Sequence, residues 1–343
     1  ITSLPDRINI GLFIPMQGDA GIWGPSCRAC AELACHEINH RGGINGTPIK
    51  LKIFEAGASP EAVGDLAYHL TQTKQIDAIV GMHTSDVRQQ IILSIPKSTP
   101  YIYTPLWEGG VVPSNVLCLG ETPKQQLSQA IPWLIKRYHL KKWYLLGHQY
   151  VWPRFTNSWV KKFLYHSEQQ IVAEKYLPLG VHNFSEIIDD IQKQNPCAIL
   201  LTLVGQGCVA FNRQFGAHAL SDRILRLSTA VEENMMLSIG ETNTEGLFST
   251  SGYFSCINDL HNDSFRERYF QQFGEYAPPL STMGQSVYDG VRLLSKISFS
   301  KDQYQLKGPR KGVVKFGVAS KIAQIYLAQS QGINFRIIQR FHS

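Results

Sequence analysis

Nowhere in this sequence do about 20 apolar residues run together, the length that a membrane-crossing helix needs. The longest greasy stretch, CAILLTLVG at 197–205, has the length of a strand. Concentrated charge is missing too. The formal net charge is +6, but Lys and Arg stand in ones and twos, and the densest spots, IKRYHLKKW and KGPRKG, are short. A nucleic-acid surface needs a concentrated basic stripe, so nucleic acid is not an expected partner. Seven cysteines stand at 27, 30, 35, 118, 197, 208 and 256, and none belongs to a paired C-x-x-C zinc array. An odd number with no disulfide framework reads as mostly free, buried thiols, which leans toward a reducing compartment. Neither a G-x-S-x-G elbow nor a Walker loop occurs, so no hydrolase or nucleotide chemistry is spelled out. The chain opens on Ile1 rather than Met, and the expectation is that a leader has been removed.

What is present is a regular alternation. At 343 residues the chain can build two cores, and 43% hydrophobic with 17% charged residues suits a globular protein. INIGLFIPM reads as a buried strand, followed by a helix from about Pro25 to His40, strand IKLKIFEAG, and a helix that Ser59 and Pro60 start. Strand DAIVGMHT, helix SDVRQQIILSI and strand PYIYTPLW follow. The pattern then restarts with one long helix, PKQQLSQAIPWLIKRYH, and strand KKWYLLGHQ, and it runs on to strand ILRLSTAV. Two more helices and a hairpin-like end, IAQIYLAQSQGINFRIIQRF, form a tail. Such a tail can cross back over the first half and finish on the second. The fold class is therefore α/β, with two doubly wound parallel-sheet lobes divided near Thr122.

Two short motifs suggest chemistry, and both are weak on inspection. HEINHRGGING, 36–46, contains His-Glu-x-x-His, which on a helix sets His36 and His40 one turn apart with Glu37 as a base. The same helix, however, turns Cys27, Ala31, Ala34 and Ile38 to the core and both histidines away from it. The extended motif also asks for His at 46, where Gly46 stands. GQGCVA, 205–210, fits a G-x-G-x-x-A dinucleotide fingerprint with Asp222 downstream. It lies in the second lobe, whereas dinucleotide folds carry it in the first β-α turn. The competing reading is that Gly205 and Gly207 let the backbone approach a ligand or the facing lobe. No metal or cofactor is expected.

In doubly wound sheets, ligands sit beyond the carboxyl ends of the strands. The loops there are PMQGDAGIWG, GMHTSD, YTPLWEGG, GHQYVWPR, LVGQG and STAVEEN, rich in Tyr, Trp, Ser, Thr and Gly. That is the makeup of a pocket for a small polar molecule. Together IGLFIPMQGDAGIWG, EINHRGGINGTPI, TPLWEGG, LGETPKQQ, GHQYVWPR, LTLVGQG and EGLFSTSGYFS make the chain resemble the type I periplasmic binding protein superfamily, the solute receptors of ABC importers. The nearest likeness is to the branch that binds short-chain amides and urea, including an amide sensor that controls amidase expression. It covers essentially the whole chain, and it reads EINHRGGING as a helix stop, with Gly42 and Gly43 supplying positive φ.

The resemblance implies a set of ligand contacts. From the first lobe they are His83, where the amide sensor has Tyr, and Ser85, Tyr103, Thr104 and Trp107, while Glu108-Gly109 reads as structural. Ser85 either meets the ligand or merely caps its helix. Gly21 and Trp23 rim the entrance. From the second lobe, Tyr150 and Trp152 alternate along an extended segment and close over the ligand. The Val204-Gly205-Gln206 turn and the turn of Glu232 and Glu233 complete the far wall. If either acid holds an ammonium, the ligand is an amino acid or amine. If both only open a helix, the ligand is neutral.

These features imply a non-enzymatic receptor in the periplasm or elsewhere outside the cytoplasm, a monomer or homodimer. It would close by hinge motion and hand a small polar ligand to an ABC transporter permease. The alternative is a cytoplasmic sensor that acts on a regulator protein. The implied lobes are 1–121 with about 257–315, and 122–256 with about 316–343, hinged near 121, 256 and 315. A four-atom amide or urea gains at most about 6 kcal/mol, a dissociation constant of some tens of micromolar.

Overall fold

Six of the seven residues of β1 (Ile8–Ile14) are buried, as a central strand requires. It runs parallel to β2 (Ile49–Glu55) on one side and β3 (Ala78–Gly81) on the other, and β4 (Tyr101–Tyr103) and β5 (Val116–Cys118) extend the sheet. Between them lie helices α1 (Gly24–His40), α2 (Pro60–Gln72) and α3 (Ser85–Ser94). The sheet order is β2-β1-β3-β4-β5, with its direction of winding reversed between β1 and β3. The computed structural model describes residues 7–298, 305–307, 313–314 and 324–342.

The second sheet repeats this plan. Helices α4 (Pro123–Leu127) and α5 (Ala130–Tyr138) lead into β6 (Lys142–His148), α6 (Val151–His166), β7 (Gln170–Leu177) and α7 (Ser185–Gln194). Next come β8 (Ala198–Thr202), α8 (Gly205–Ala217), β9 (Leu225–Ser228), α9 (Glu233–Ile239) and β10 (Leu247–Ser251). Read from its edge, the parallel part runs β7-β6-β8-β9-β10, the same winding order, with the reversal between β6 and β8. The one long helix expected over 123–139 is two, broken at Ser128 and Gln129. Pro132 lacks the N–H that would bond Ser128 and its ring presses on that carbonyl, so the turn cannot continue.

The tail serves both lobes. Helices α10 (Leu260–Phe273) and α11 (Thr282–Leu294) return to the first, where Arg268 and Tyr288 hold Glu37 of α1 at 2.8 and 2.7 Å. Short strands β11 (Ile297–Ser298), β12 (Gln305–Lys307) and β13 (Val313–Val314) form a small antiparallel sheet. The hairpin β14 (Gln324–Gln331) and β15 (Asn334–His342) then joins β10 antiparallel, so the second sheet is parallel except at this edge. The chain passes between the sheets at 119–122 and again at 252–259. A hinge near 315 lies outside the described residues. No helix among the described residues is long and apolar enough to cross a membrane.

Candidate functional site

The two winding reversals face each other, and the loops leaving the strands beside them line a small, partly open cavity of about 30 Å³. The first lobe supplies Trp23, His83, Ser85 and Tyr103 to its wall, with Met82 and Leu106 between them. The second supplies Tyr150, Trp152, Val204 and Ala230. A space of that size holds a water or two. The walls are therefore nearly in contact, as in closed lobes.

The polar atoms of the first-lobe wall are already engaged. His83 is buried, with Nδ1 3.1 Å from the Thr84 carbonyl and Nε2 3.0 Å from the Tyr101 hydroxyl. A proton on Nδ1 satisfies both contacts, since Nε2 then accepts from Tyr101. Burial, helped by the charge of Arg88, pulls the His83 pKa down to about 3, so the ring is neutral. The Tyr103 hydroxyl donates to the His83 carbonyl at 2.9 Å and lies 3.4 Å from Ser85 Oγ. Ser85 is the first helical residue of α3 and Thr84 is its N-cap, so Ser85 does not cap the helix.

The second-lobe wall keeps unspent donors. Tyr150 is the N-cap residue of α6, in extended conformation, and Trp152 already lies in the first helical turn. This corrects the expectation of one extended segment. Pro153 sits in that first turn, where its missing N–H costs nothing, and its fixed φ favours the helix. The two rings lie 6.5 Å apart and tilted by 31°. Trp152 is 2% exposed, yet its Nε1 donor has no partner among the described residues. The Tyr150 hydroxyl makes no hydrogen bond among the described residues, and burial, with Tyr103, Asp86 and Glu108 adding, raises its pKa well above the usual phenol value.

Of the contacts that the resemblance implies, Thr104, Trp107, Gly205, Glu232 and Glu233 do not border the cavity. Trp107 is 1% exposed in the first-lobe core, under Arg88, whose guanidinium forms a buried pair with Glu108 at 2.6 Å. Thr104 turns its hydroxyl to the Gly81 carbonyl at 3.3 Å and its backbone oxygen to Ser286 of α11. It borders a separate space of about 640 Å³ behind the crossings, next to Lys296 and Tyr326, which flank undescribed stretches. Gly205 has φ +54°, and a Cβ there would stand 1.8 Å from the Asp19 carbonyl oxygen of the first lobe. One on Gly207 would crowd His148 Nε2 at 2.7 Å. Where a dinucleotide fingerprint would cradle phosphates, these glycines receive the facing lobe.

Glu232 is wholly buried as the N-cap of α9. It accepts from Asn234 Nδ2 at 2.8 Å, from Met235 N at 3.2 Å and, across the lobes, from Trp23 Nε1 at 3.1 Å. Burial raises its pKa, opposed by the hydrogen bonds from Asn234, Ser281 and Met235. Glu233 turns to the second crossing and accepts from Ser255 N at 2.6 Å. Neither acid borders the cavity. His36 and His40 are exposed on α1, and no group of three potential metal ligands occurs among the described residues.

Sequence reasoning missed Met82, Leu106 and Ala230, apolar loop residues that nothing local distinguishes. It also passed over Asp19, although that is the one acid in the first loop.

The fold has many solved counterparts. A solute-binding protein of an ABC transporter from Rhodopseudomonas palustris HaA2, in complex with p-hydroxybenzoic acid, superposes with a TM-score of 0.80 at 16% identity, covering 98% of this chain and 97% of that one. A branched-chain amino acid transporter substrate-binding protein from Streptococcus pneumoniae, in complex with isoleucine, gives 0.79 at 16%, covering 98% and 99%. A periplasmic binding protein from Burkholderia mallei gives 0.81 at 14%, covering 98% and 95%. At such identities the likeness speaks for the fold alone, the type I periplasmic binding protein fold of two α/β lobes. The periplasmic binding protein family model, in contrast, aligns with residues 7–297, which run through both crossings, and by that match this chain belongs to the periplasmic binding protein family.

Proposed function

We propose that this protein is the receptor of an ABC importer and encloses a small uncharged polar molecule, a short-chain amide or urea, between its lobes. One observation carries the reading. Among the described residues no charged side chain borders the cavity, while two residues that line it carry neutral donors without a protein partner, the buried Trp152 Nε1 and the hydroxyl of the half-buried Tyr150. A buried donor without a partner is costly, and a ligand carbonyl oxygen relieves it. An amino acid needs an acid for its ammonium, and the nearest candidate, Glu232, is committed to α9 and Trp23. In this reading Ser85 and His83 complete the wall, the lobes hinge near 121 and 256, and the ligand leaves unaltered for a permease.

Calorimetry with acetamide, urea, isoleucine and p-hydroxybenzoate tests the assignment, with each ligand assayed for conversion after incubation. Acetamide or urea is expected to bind at tens of micromolar, and the other two at least tenfold more weakly. Preferred binding of isoleucine or the benzoate, or turnover of any ligand, defeats it. The second reading, a cytoplasmic sensor, draws on seven free thiols, four of them buried. Cell fractionation separates the two: recovery outside the cytoplasm supports the importer.

A further inference from the structure

The lobes also meet away from the cavity. Asp19 opens the 3-10 turn Asp19–Trp23 of the first lobe and is 7% exposed. Among the described residues, every partner of its side chain belongs to the second lobe. Gly180 N donates to Oδ2 at 2.8 Å, and His182 Nε2 lies 2.8 Å from Oδ1. His148 points at the same carboxylate, with Nε2 3.8 Å from Oδ2. Its Nδ1 accepts from Val204 N at 3.0 Å, so the proton of the neutral ring sits on Nε2, buried and otherwise unpartnered. On the backbone side, the absent side chains of Gly205 and Gly207 clear the space that Asp19 fills. Asp19, Gly180 and His182 stand at a wider opening of about 550 Å³ outside the cavity, and none of them borders the cavity itself.

We propose that Asp19 is a closure latch: it docks into the Gly180–His182–Gly205 socket of the second lobe when the lobes close, and it holds a closed population without ligand. Carboxylate-accepting hydrogen bonds are among the stronger ones, and these two exist only across the cleft. Because the ligand reads only the closed fraction, a latch that shifts this fraction changes affinity by the same factor without touching the ligand. The inference rests on the hinge-closing reading above but not on the ligand's identity.

Small-angle scattering on the ligand-free full chain tests it. Wild type is expected to scatter as the closed form, and Asp19→Ala to shift to a larger radius of gyration. Gly205→Ala, whose methyl would strike the Asp19 carbonyl only in the closed form, is expected to shift likewise, and Asp19→Asn to fall between. All should keep wild-type circular dichroism and a cooperative melt. Wild type as extended as Asp19→Ala overturns the latch, and so does an Asp19→Ala that stays closed. Should Asp19→Ala not fold, His182→Ala carries the same comparison, since its ring is 54% exposed and its loss leaves the core intact. If no amide binds while scattering responds as stated, the ligand class is wrong and the latch stands.

Discussion

The two lobes share a winding order but treat buried polarity in opposite ways. Behind the first-lobe wall, opposite charges are paired, Arg88 with Glu108, and the hydroxyls and ring nitrogens facing the cavity bond to one another. In the second lobe, two acids stand side by side, Glu232 and Glu233, and the buried Trp152 Nε1 of the cavity wall has no partner among the described residues. The first lobe's cavity face is thus bonded within itself, although behind it Arg88 Nε and Nη1, Trp107 Nε1 and Glu108 Oε1 have no partner among the described residues. The second presents to the cavity a buried donor without a partner, Trp152 Nε1, which the proposed ligand would complete, and it carries a local cost for keeping it so.

The largest effect should come from breaking the first-lobe pair. Glu108→Ala leaves Arg88 buried and uncompensated, and chemical denaturation is expected to show a loss of about 3–5 kcal/mol. A loss under about 1 kcal/mol would mean that the pair is not structural. Next is the second lobe's acid pair. Burial, with Glu232 adding repulsion, raises the Glu233 pKa to about 7. The folded protein then holds a proton that the unfolded chain has released, so stability falls as pH rises from about 4.5 to 7 and stays low above that. Compared with Glu233→Gln over this window, wild type should lose ~3 kcal/mol. Parallel stability curves for the two proteins would remove the contrast between lobes.

The smallest effects discriminate most sharply. Tyr103→Phe removes a hydroxyl already spent within the first lobe, so stability should drop by about 1–2 kcal/mol with ligand affinity nearly unchanged. Trp152→Phe removes a donor without a protein partner together with part of a buried ring, so stability should drop by about 1–2 kcal/mol from packing alone while affinity falls about tenfold. Denaturation and calorimetry on both variants check the pair. Reversed outcomes would show that the first lobe, not the second, presents the free groups.

Much of the frame was readable along the chain. Ser59 and Pro60 mark a helix start that the structure places at Pro60, with Ser59 Oγ accepting from Ala62 N. The buried runs 8–14 and 198–202 read as interior strands because both faces are apolar. The break at Ser128 is legible in Pro132, which has no N–H to offer the Ser128 carbonyl. The site was less readable. Within five residues at the end of β4 and the loop after it, Tyr103 meets the cavity, Thr104 turns to α11 and Trp107 enters the core. A loop has no period, so nothing local announces which way each side chain points.

The sequence alone determined the alternation of strand and helix, the doubling of that pattern and the loops that gather at one end, because apolar periodicity is a property of neighbouring residues. Only the tertiary structure decided which polar atoms in the cleft are spent and which are free. Their partners come from far along the chain: Trp23 meets Glu232 across 209 residues, and Asp19 meets His182 across 163. A hydrogen bond at 3 Å is settled by where two lobes come to rest, and no local pattern encodes that.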